Sequence, residues 1–390
     1  MKNKVISTVL VVATFCLFSS IALAMEVEGV NIHGFASQGF IMSEQYNYLT
    51  HNSKDGSFEY NEAGINFSKS LTDKLLFGIQ LFSRDLGDVA NNKVTIDWAY
   101  GDYRLKDWFG IRAGRIKLPI GLYNETRDID MLRTSIVMPQ SCYSDLLRDT
   151  TIAANGVGIY GNVDISAAGS IDYQVVAGQM NIDNDSGFEK WFNSRFTPLF
   201  SLAGSTDTDT AYVGNLRWNT PLDGLVLGIS SMTVDAQNPI LTGRGVSMTQ
   251  ETSSEIIRFF TEYTWKNLLL ASEYQTFKTE SIIGPNESEV TSENYYLSAS
   301  YRFTDLFSMG THYSVVYPNK DDKDGEKLAF KSAASEKDLA LSFRFDINEY
   351  IVFKVEGHKV DGTAKVNEID NPDRTEDDFY YGAAKVTFSF

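Results

Sequence analysis

The sequence predicts an all-β fold, a transmembrane antiparallel β-barrel of about 16 strands. Three observations lead to this prediction: apolar and polar residues alternate repeatedly, short turns and longer loops follow each other regularly, and aromatic residues stand beside the turns. Alternation of this kind suits a strand that has hydrocarbon on one face and water on the other.

The first 24 residues have the pattern of a cleaved secretory signal peptide. Lys2 and Lys4 precede an apolar run over residues 5–21, and the small-residue site Ala22-Leu23-Ala24 precedes Met25. We therefore expect residues 1–24 to be removed and residues 25–390 to form a barrel in the outer membrane of a Gram-negative cell. No later stretch is apolar over the roughly 18 residues that a membrane helix needs, so insertion should use strands.

The strand pattern is clearest in three segments of the second half of the chain. In each, one set of alternate residues is apolar or aromatic and the intervening set is mostly polar. The apolar sets are Tyr295, Leu297, Ala299, Tyr301 and Phe303; Leu339, Leu341, Phe343 and Phe345; and Ile257, Phe259, Thr261, Tyr263 and Trp265.

The strand number follows from the short turns, which in membrane barrels lie on the periplasmic side. The sequence contains seven, at residues 70–73, 106–107, 163–166, 221–224, 266–267, 304–305 and 346–348. Each joins two strands, and one further strand at each end gives sixteen, an even number as single-chain bacterial barrels require.

Eight longer connections are candidate outer loops, and they hold most of the acidic residues. They lie at residues 44–56, 86–92, 119–154, 182–208, 236–253, 281–292, 318–336 and 361–378. We interpret their acidic runs as solvated surface, with divalent cations bridging to lipopolysaccharide as the alternative.

A large soluble β-sandwich would also alternate, but it gives no reason for aromatic residues beside the turns. These residues are typical of the girdles that membrane barrels form at the bilayer interface. They are Trp98, Trp108, Trp218, Trp265, Tyr301, Phe303 and Phe345.

The carboxyl-terminal segment, Tyr380–Phe390, ends on an aromatic residue with apolar residues at alternate places before it. It resembles the last strand of Gram-negative outer-membrane porins. The resemblance extends over residues 25–390 at the level of strand number, short turns and loops. It implies that the barrel assembly machinery reads the strand ending at Phe390 as an insertion signal, and that the protein is a homotrimer in a bilayer with lipopolysaccharide.

The longest connection, residues 119–154, is the third outer loop. In 16-stranded porins this loop folds into the lumen and narrows the pore, and the resemblance implies the same for this chain. The segment Gly114–Gly121 resembles the approach to this loop in porins distantly like the phosphate-selective group, although the lysine ladder expected for phosphate capture is missing.

A pore needs charged groups at its constriction, because their sign sets the preference for ions. The third loop and its approach carry both signs, and opposed rows of them would create a transverse field that favours polar solutes. The alternative is that these charges pair and pin the loop to the wall. The candidates are Arg112, Arg115, Lys117, Glu125, Arg127, Asp128, Asp130, Arg133, Asp145, Arg148 and Asp149. Strict alternation from Phe109 and Ile111 would turn Arg115 outward.

A second set of arginines is predicted on the lumen wall. Four of them precede an apolar residue just before a short turn, and Arg258 lies higher on the wall. The four are Arg104, Arg217, Arg302 and Arg344. Interfacial arginines whose side chains extend toward the membrane edge are the alternative. The chain has a formal net charge of −17, but its acidic residues concentrate in loops. We therefore expect the pore to have mixed ion selectivity or a weak preference for anions.

Catalysis and cofactors are not expected. The four histidines form no spaced motif, although His312 and His358 fall on inward faces of predicted strands. The acidic segment Lys320–Gly325 lacks the end ligands of a calcium loop. We expect no metal, no enzyme activity and no nucleic acid partner. Cys142 is the one cysteine after the signal peptide, either inert or paired between chains.

These patterns favour a porin that lets small hydrophilic solutes and ions diffuse passively. Two alternatives stay open: a substrate-specific channel with a binding site at the constriction, and a closed barrel that serves as an adhesin or surface-binding protein.

Overall fold

A computed structural model describes residues 25–27, 29–373 and 376–390. The predicted signal peptide, residues 1–24, lies outside the described residues. Sixteen antiparallel strands form a closed barrel, and four shorter strands extend its sheet: Met25–Val27, Asn181–Ile182, Phe200–Leu202 and Thr206–Thr208. We number only the sixteen. They are β1 Val30–Ser43, β2 Tyr60–Ser70, β3 Leu75–Leu86, β4 Thr95–Lys106, β5 Phe109–Lys117, β6 Ala153–Asp164, β7 Ser170–Gln179, β8 Ala211–Asn219, β9 Leu225–Thr242, β10 Ser247–Trp265, β11 Leu268–Ile283, β12 Asn286–Arg302, β13 Phe307–Tyr317, β14 Glu336–Asp346, β15 Ile351–Gly362 and β16 Asp378–Ser389.

Closure occurs between the first and last strands. The β1–β16 ladder runs from Phe35 opposite Ser389 to Ser43 opposite Tyr381. Phe390 and Gly34 then exchange two backbone hydrogen bonds of 3.0 Å. Every strand therefore has a partner on both sides, which removes the unpaired edges that a bilayer does not tolerate. The predicted strand number is confirmed.

The seven short turns lie where the sequence predicts them, within a few residues. The other connections form the opposite rim, and we name them L1 to L8. They are L1 44–59, L2 87–94, L3 118–152, L4 180–210, L5 243–246, L6 284–285, L7 318–335 and L8 363–377.

Two of the predicted outer loops, residues 236–253 and 281–292, are wrong. Both are strand hairpins, since the β9–β10 ladder continues to Leu241 opposite Ser247 and the β11–β12 ladder to Ile283 opposite Asn286. Polar residues and glycines are the majority in both segments, so the sequence pattern resembles that of a loop. The backbone pairing continues nonetheless, and Gly245 and Gly284 take the positive φ angles of tight turns, 75° and 57°.

The outward face of the barrel is apolar. Leu297, Leu339 and Tyr212 are 61%, 53% and 61% exposed, as expected for side chains that meet lipid. Most of the predicted girdle lies at the turn side, where Trp108 and Trp265 are exposed. Trp98 is an exception to the predicted girdle. It lies opposite Gln80 on the inward face, with its ring 5.3 Å from that of Tyr100.

L4 contains the helix α1, Gly187–Phe196, which Ser186 caps by accepting from the Glu189 backbone N–H. None of the helices in the described part of the chain is long and apolar enough to cross a bilayer. Lys190 of α1 forms ion pairs of 2.6 Å with both Asp88 of L2 and Asp370 of L8. The helix thus links outer loops from distant parts of the rim.

Candidate pore constriction

L3 lies inside the barrel and contacts inward-facing side chains around most of its circumference. Its chain begins after Lys117 and returns to the wall at Ala153. Apolar residues of L3 join strand residues in cores within the lumen, for example Ile136 and Val137 with Val360 and Phe379. Four polar anchors then fix the loop to the wall.

The first anchor is a closed network of two cations and two carboxylates. Arg148 Nη2 lies 2.6 Å from Asp97 Oδ1 and 2.9 Å from Asp128 Oδ2. Lys117 Nζ lies 2.9 Å from Asp97 and 2.8 Å from Asp128. All four side chains are buried, and their charges cancel. The network therefore joins both ends of L3 to β4 and β5.

The second anchor holds the middle of L3 against β15 and β16. The Asp130 carboxylate lies 3.0 Å from Lys354 Nζ and 3.5 Å from Lys385 Nζ. It also accepts a hydrogen bond of 2.8 Å from the Thr387 hydroxyl. Lys354 Nζ donates to the Asp130 and Ser135 carbonyls as well.

The third anchor centres on Glu273 of β11. Its carboxylate accepts from the Tyr143 hydroxyl, from the Tyr296 hydroxyl at 2.9 Å and from the Leu122 backbone N–H at 3.2 Å. Arg258 lies 3.2 Å from the same carboxylate and donates to the Cys142 carbonyl at 2.9 Å. The sequence predicts this arginine on the wall, and its inward position serves to hold L3.

The fourth anchor is Glu356 of β15. It accepts the backbone N–H groups of Ile136 and Val137 at 2.8 and 2.9 Å. A charged acceptor makes these hydrogen bonds stronger than neutral ones.

Charge pairing shifts the pKa values of the L3 carboxyl groups. Burial alone would raise the pKa of Asp128, but Arg148 and Lys117 outweigh it and hold that pKa well below its usual range. Burial would also raise the pKa of Asp130, but the charges of Lys354 and Lys385 outweigh this effect and lower the pKa of the carboxyl group. Both groups are therefore carboxylates at neutral pH.

Other predicted constriction residues pair within L3 or with β3. Arg127 donates to the Asp145 carboxylate at 3.3 Å, and Arg133 lies 3.6 Å from Asp130. Asp149 lies 3.6 Å from Arg84, which also donates to the Asp145 carbonyl. These charges hold the loop together, as expected if paired charges pin L3 to the wall.

Arg112 and Glu125 differ, because both remain partly open to the lumen. Their side chains are 22% and 37% exposed, and the closest charged atoms lie 3.9 Å apart. Arg112 stacks on Tyr160, 4.3 Å from the ring centre, and donates to Asp102 at 2.9 Å.

Arg115 does not belong to the constriction, and its prediction is corrected. It shares a row of β5 with exposed Ile111 and Ala113, and it pairs across the ladder with exposed Asn155. This row is the outward one, as strict alternation requires. Arg115 donates instead to the Asp97 carbonyl at 3.2 Å.

The predicted wall arginines divide into two groups. Arg344 donates to the Met131 and Arg133 carbonyls of L3 at 2.6 and 2.9 Å, and Arg217 donates to the Leu122 carbonyl at 3.4 Å. Arg104 and Arg302 are exposed at the turn side, where they pair with Asp107 and Asp305. Arg302, Arg344 and Met131 line a space of about 540 Å³ at that mouth.

Several half-buried polar side chains lie on the wall between β4 and β10. We call them the polar arc: Asp102, Arg112, Gln174, Arg217 and Glu262, with Glu125 of L3 beside them. Gln174 donates to Glu125 at 3.2 Å, and the Tyr123 hydroxyl donates to Glu262 at 2.7 Å. On the opposite side of the lumen, L3 packs against β15 and β16, where Ile136 contacts Val360 and Asp130 pairs with Lys354 and Lys385.

Sequence reasoning missed several residues that hold L3. Asp97 could not be found, because a register shift between Gln80 and Leu81 in the β3–β4 ladder breaks the alternation at its position. Tyr143 and Arg84 also gave no signal, since their partners are distant in sequence. The inward alternation of His312, Asp338 and His358 was visible, but not that these three side chains meet.

Comparisons with known proteins agree with this architecture. No family model matches the chain. An uncharacterized protein of Aquifex aeolicus is 24% identical over 218 residues, 54% of this chain and 45% of that protein. The chain therefore matches less than half the length of this relative.

Three solved structures superimpose over nearly the whole chain at low identity. The outer membrane channel DcaP of Acinetobacter baumannii gives a TM-score of 0.58 with 10% identity, covering 95% of this chain and 100% of that one. The trimer form of OmpT, an outer membrane protein of Vibrio cholerae, gives 0.56 with 11% identity and coverage of 93% and 99%. The anion-selective porin of Comamonas acidovorans gives 0.55 with 11% identity and coverage of 93% and 99%.

These likenesses concern the fold, and they agree with a closed barrel. The chain is a closed β-barrel of sixteen antiparallel strands, and its fold is similar to that of these outer-membrane channels and porins.

Proposed function

We propose that this protein is a channel through which small hydrophilic solutes and ions cross the outer membrane by passive diffusion. The observation that carries the proposal is the polar arc. A closed barrel with charged, partly open side chains on one inner arc, and a packed loop on the other, offers a narrow aqueous route.

The constriction in this proposal lies between L3 and the polar arc. Arg112 and Arg217 supply positive charge there, while Glu125, Glu262 and Asp102 supply negative charge. Because both signs line the same route, strong selectivity is not expected. Five other charged residues of L3 form buried ion pairs that keep the loop in place: Arg127, Asp128, Asp130, Asp145 and Arg148.

The remaining partners belong to the same proposal. The protein functions as a homotrimer, which the trimer form of OmpT supports by its similar fold. It is exported by a signal peptide at residues 1–24 and inserted by the barrel assembly machinery, which reads the strand that ends at Phe390. The acidic outer loops face lipopolysaccharide, and the protein has no enzyme activity.

A substrate-specific channel is the second candidate. It is favoured by a cavity of about 240 Å³ between L3 and the wall of β11 to β14, lined by Tyr123, Arg127, Tyr296 and His312 among others. Its mixture of aromatic, cationic and hydroxyl groups could hold one solute in preference to others.

Planar bilayer recordings with a salt gradient test the proposal. We expect ohmic single-channel steps and a small reversal potential. Arg112→Ala should shift the reversal potential toward cation preference, because it removes a positive charge from the polar arc.

Arg115→Ala is the matched control. It removes the same charge from the same strand, but on the outward face, and should leave the reversal potential unchanged. Absence of conductance from folded barrels would overturn the proposal and favour a closed, surface-binding barrel. Saturation of the current by one solute class would favour the specific channel.

A further inference from the structure

Three adjacent strands bring two histidines and an aspartate together inside the barrel. In the ladders, His312 of β13 and His358 of β15 both lie opposite Ala340 of β14, so they occupy the same rung. Asp338 stands two residues before Ala340 and so points to the same face. The carboxylate and one nitrogen of each ring lie within 4.8 Å of one another, and all three residues are buried.

We propose that these three residues form a binding site for a divalent transition metal of the zinc class, independently of the channel function. The ligands are His312 Nε2, His358 Nδ1 and the Asp338 carboxylate. Two imidazoles and one carboxylate suit zinc, cobalt or nickel, whereas magnesium and calcium prefer oxygen ligands alone.

The spacing of the donor atoms fits such an ion. His358 Nδ1 lies 2.9 Å from Asp338 Oδ1, and His312 Nε2 lies 3.8 Å from Asp338 Oδ2. Ligand atoms about 2.0 to 2.1 Å from a tetrahedral zinc ion lie about 3.3 Å apart. The observed distances lie on either side of this value, so small rotations of the side chains would bring them to it.

One of the three proposed ligand atoms, His312 Nε2, is buried without a hydrogen-bond partner among the described residues. His312 is 3% exposed, and its Nε2 makes no hydrogen bond among the described residues. A buried polar atom normally has a partner, because desolvation without one costs free energy. Coordination of a metal would satisfy this nitrogen.

The surroundings orient the second histidine as a ligand. His358 Nε2 lies 2.8 Å from Glu356 Oε1, and the ring stacks on Tyr381 at 3.9 Å. A carboxylate on the far nitrogen is the usual support of a metal-bound histidine. Glu356 also holds the Ile136 and Val137 backbone of L3, so the site is coupled to the loop through one side chain.

Charge also favours a cation at this position. Asp338 and Glu356 are both buried, and the two ring nitrogens of His358 lie 2.9 and 2.8 Å from their carboxylate oxygens. Two negative charges therefore face the site, and a divalent ion bound by two neutral imidazoles would balance both. The 240 Å³ cavity reaches His312 and gives water access to complete the coordination.

Titration of the folded, full-length protein in detergent micelles with Co²⁺ tests the site, after removal of metals by a chelator. We expect one Co²⁺ per chain, with the intense visible absorption of a tetrahedral complex. His312→Gln and Asp338→Asn should each weaken binding about 100-fold, and Glu356→Gln about 10- to 100-fold.

His33→Gln and His51→Gln are the controls, since both histidines lie outside the cluster, and neither should change the affinity. X-ray absorption of the wild-type Zn²⁺ complex gives a readout that needs no variant, and we expect two imidazole ligands. The proposal is overturned if binding survives His312→Gln unchanged, if it is lost in His51→Gln, or if the wild-type complex contains fewer than two imidazoles.

Discussion

At the scale of single residues, L3 depends on a few buried charges, each of which has a specific partner. Arg148 is the clearest case, because it touches both Asp97 of the wall and Asp128 of the loop. Removing it leaves Lys117 alone to balance two buried carboxylates. The free energy of unfolding should therefore fall by the amount typical of a buried charge that has lost its partner.

We predict that Arg148→Ala lowers the free energy of unfolding by about 3 to 5 kcal/mol, measured by denaturant titration in detergent. Arg302→Ala is the matched control. Its side chain is exposed at the turn side, and its loss should cost about 0.5 kcal/mol or less. Equal effects of the two variants would refute the role assigned to the Arg148 network.

Cys142 of L3 is half-buried and packs beside Tyr143 of the loop and Tyr296 of the wall. Burial raises the pKa of this thiol to about 12, although the nearby Arg258 guanidinium lowers it. A thiol that stays protonated reacts slowly, so we expect an inert cysteine rather than a bond between chains. At pH 7.5 we predict modification by a maleimide about a thousandfold slower than for an exposed cysteine of ordinary pKa.

The comparison protein is Cys142→Ser carrying Arg244→Cys at the exposed tip of L5. Mass spectrometry gives both rates, and unfolding should make Cys142 react as fast as the control. Rapid labelling of Cys142 in the folded protein would show that L3 detaches from the barrel wall.

At the scale of elements, strand packing near L3 depends on small residues. Gly114, Gly156 and Gly178 lie side by side across β5, β6 and β7. A Cβ on Gly156 would lie 2.0 Å from the Ala177 carbonyl oxygen and 2.6 Å from the Gly178 Cα. These contacts are with backbone, so only a shift of the strands could relieve them.

Gly156→Ala should therefore lower the free energy of unfolding by about 1 to 3 kcal/mol. Gly101→Ala in β4 is the control, because a Cβ there meets nothing within 4 Å. Denaturant titration of both variants separates local crowding from a general effect of alanine in strands. If Gly101→Ala is equally harmful, the close approach of β6 and β7 is not the cause.

The hairpins that carry L5 and L6 lead to a prediction about which end of the barrel faces the outside of the cell. L5 and L6 are tips of hairpins that extend beyond the apolar part of the wall. A peptide epitope inserted into L5 should be bound by antibody on intact cells without loss of folding. The same epitope at the turn formed by Lys266 and Asn267 should be detected only after the outer membrane is opened.

Elements of the wall could be predicted because alternation with a period of two is dictated locally by lipid and water. The ends of β9 to β12 could not be predicted, because mostly polar residues occupy both faces of these strands there. The apolar–polar alternation that indicates a membrane strand is therefore weak. The residues that anchor L3 to the wall could not be predicted from the sequence either. Asp130 meets Lys354 and Lys385 more than 200 residues later in the chain, and no local pattern encodes that meeting.

At the scale of the whole molecule, a single internal loop, L3, contacts the inner wall of the barrel from β3 to β16. Strand number and closure could be predicted from turn counting, because each turn joins two strands and no edge can remain. The candidate residues of L3 were recognised as charged and internal. Most of these residues form ion pairs that hold L3, and a few face the lumen. Which residue does which depends on three-dimensional pairing, which only the structure gives.

In the proposed channel, L3 is the main restriction in an otherwise open barrel. Single-channel conductance of a variant in which residues 122–147 are replaced by a short Gly-Ser linker tests this role, with a deletion of residues 319–328 in L7 as control. We predict severalfold larger conductance without L3 and no change in the control. Equal conductance of the wild type and the L3 variant would contradict the proposed role of the loop.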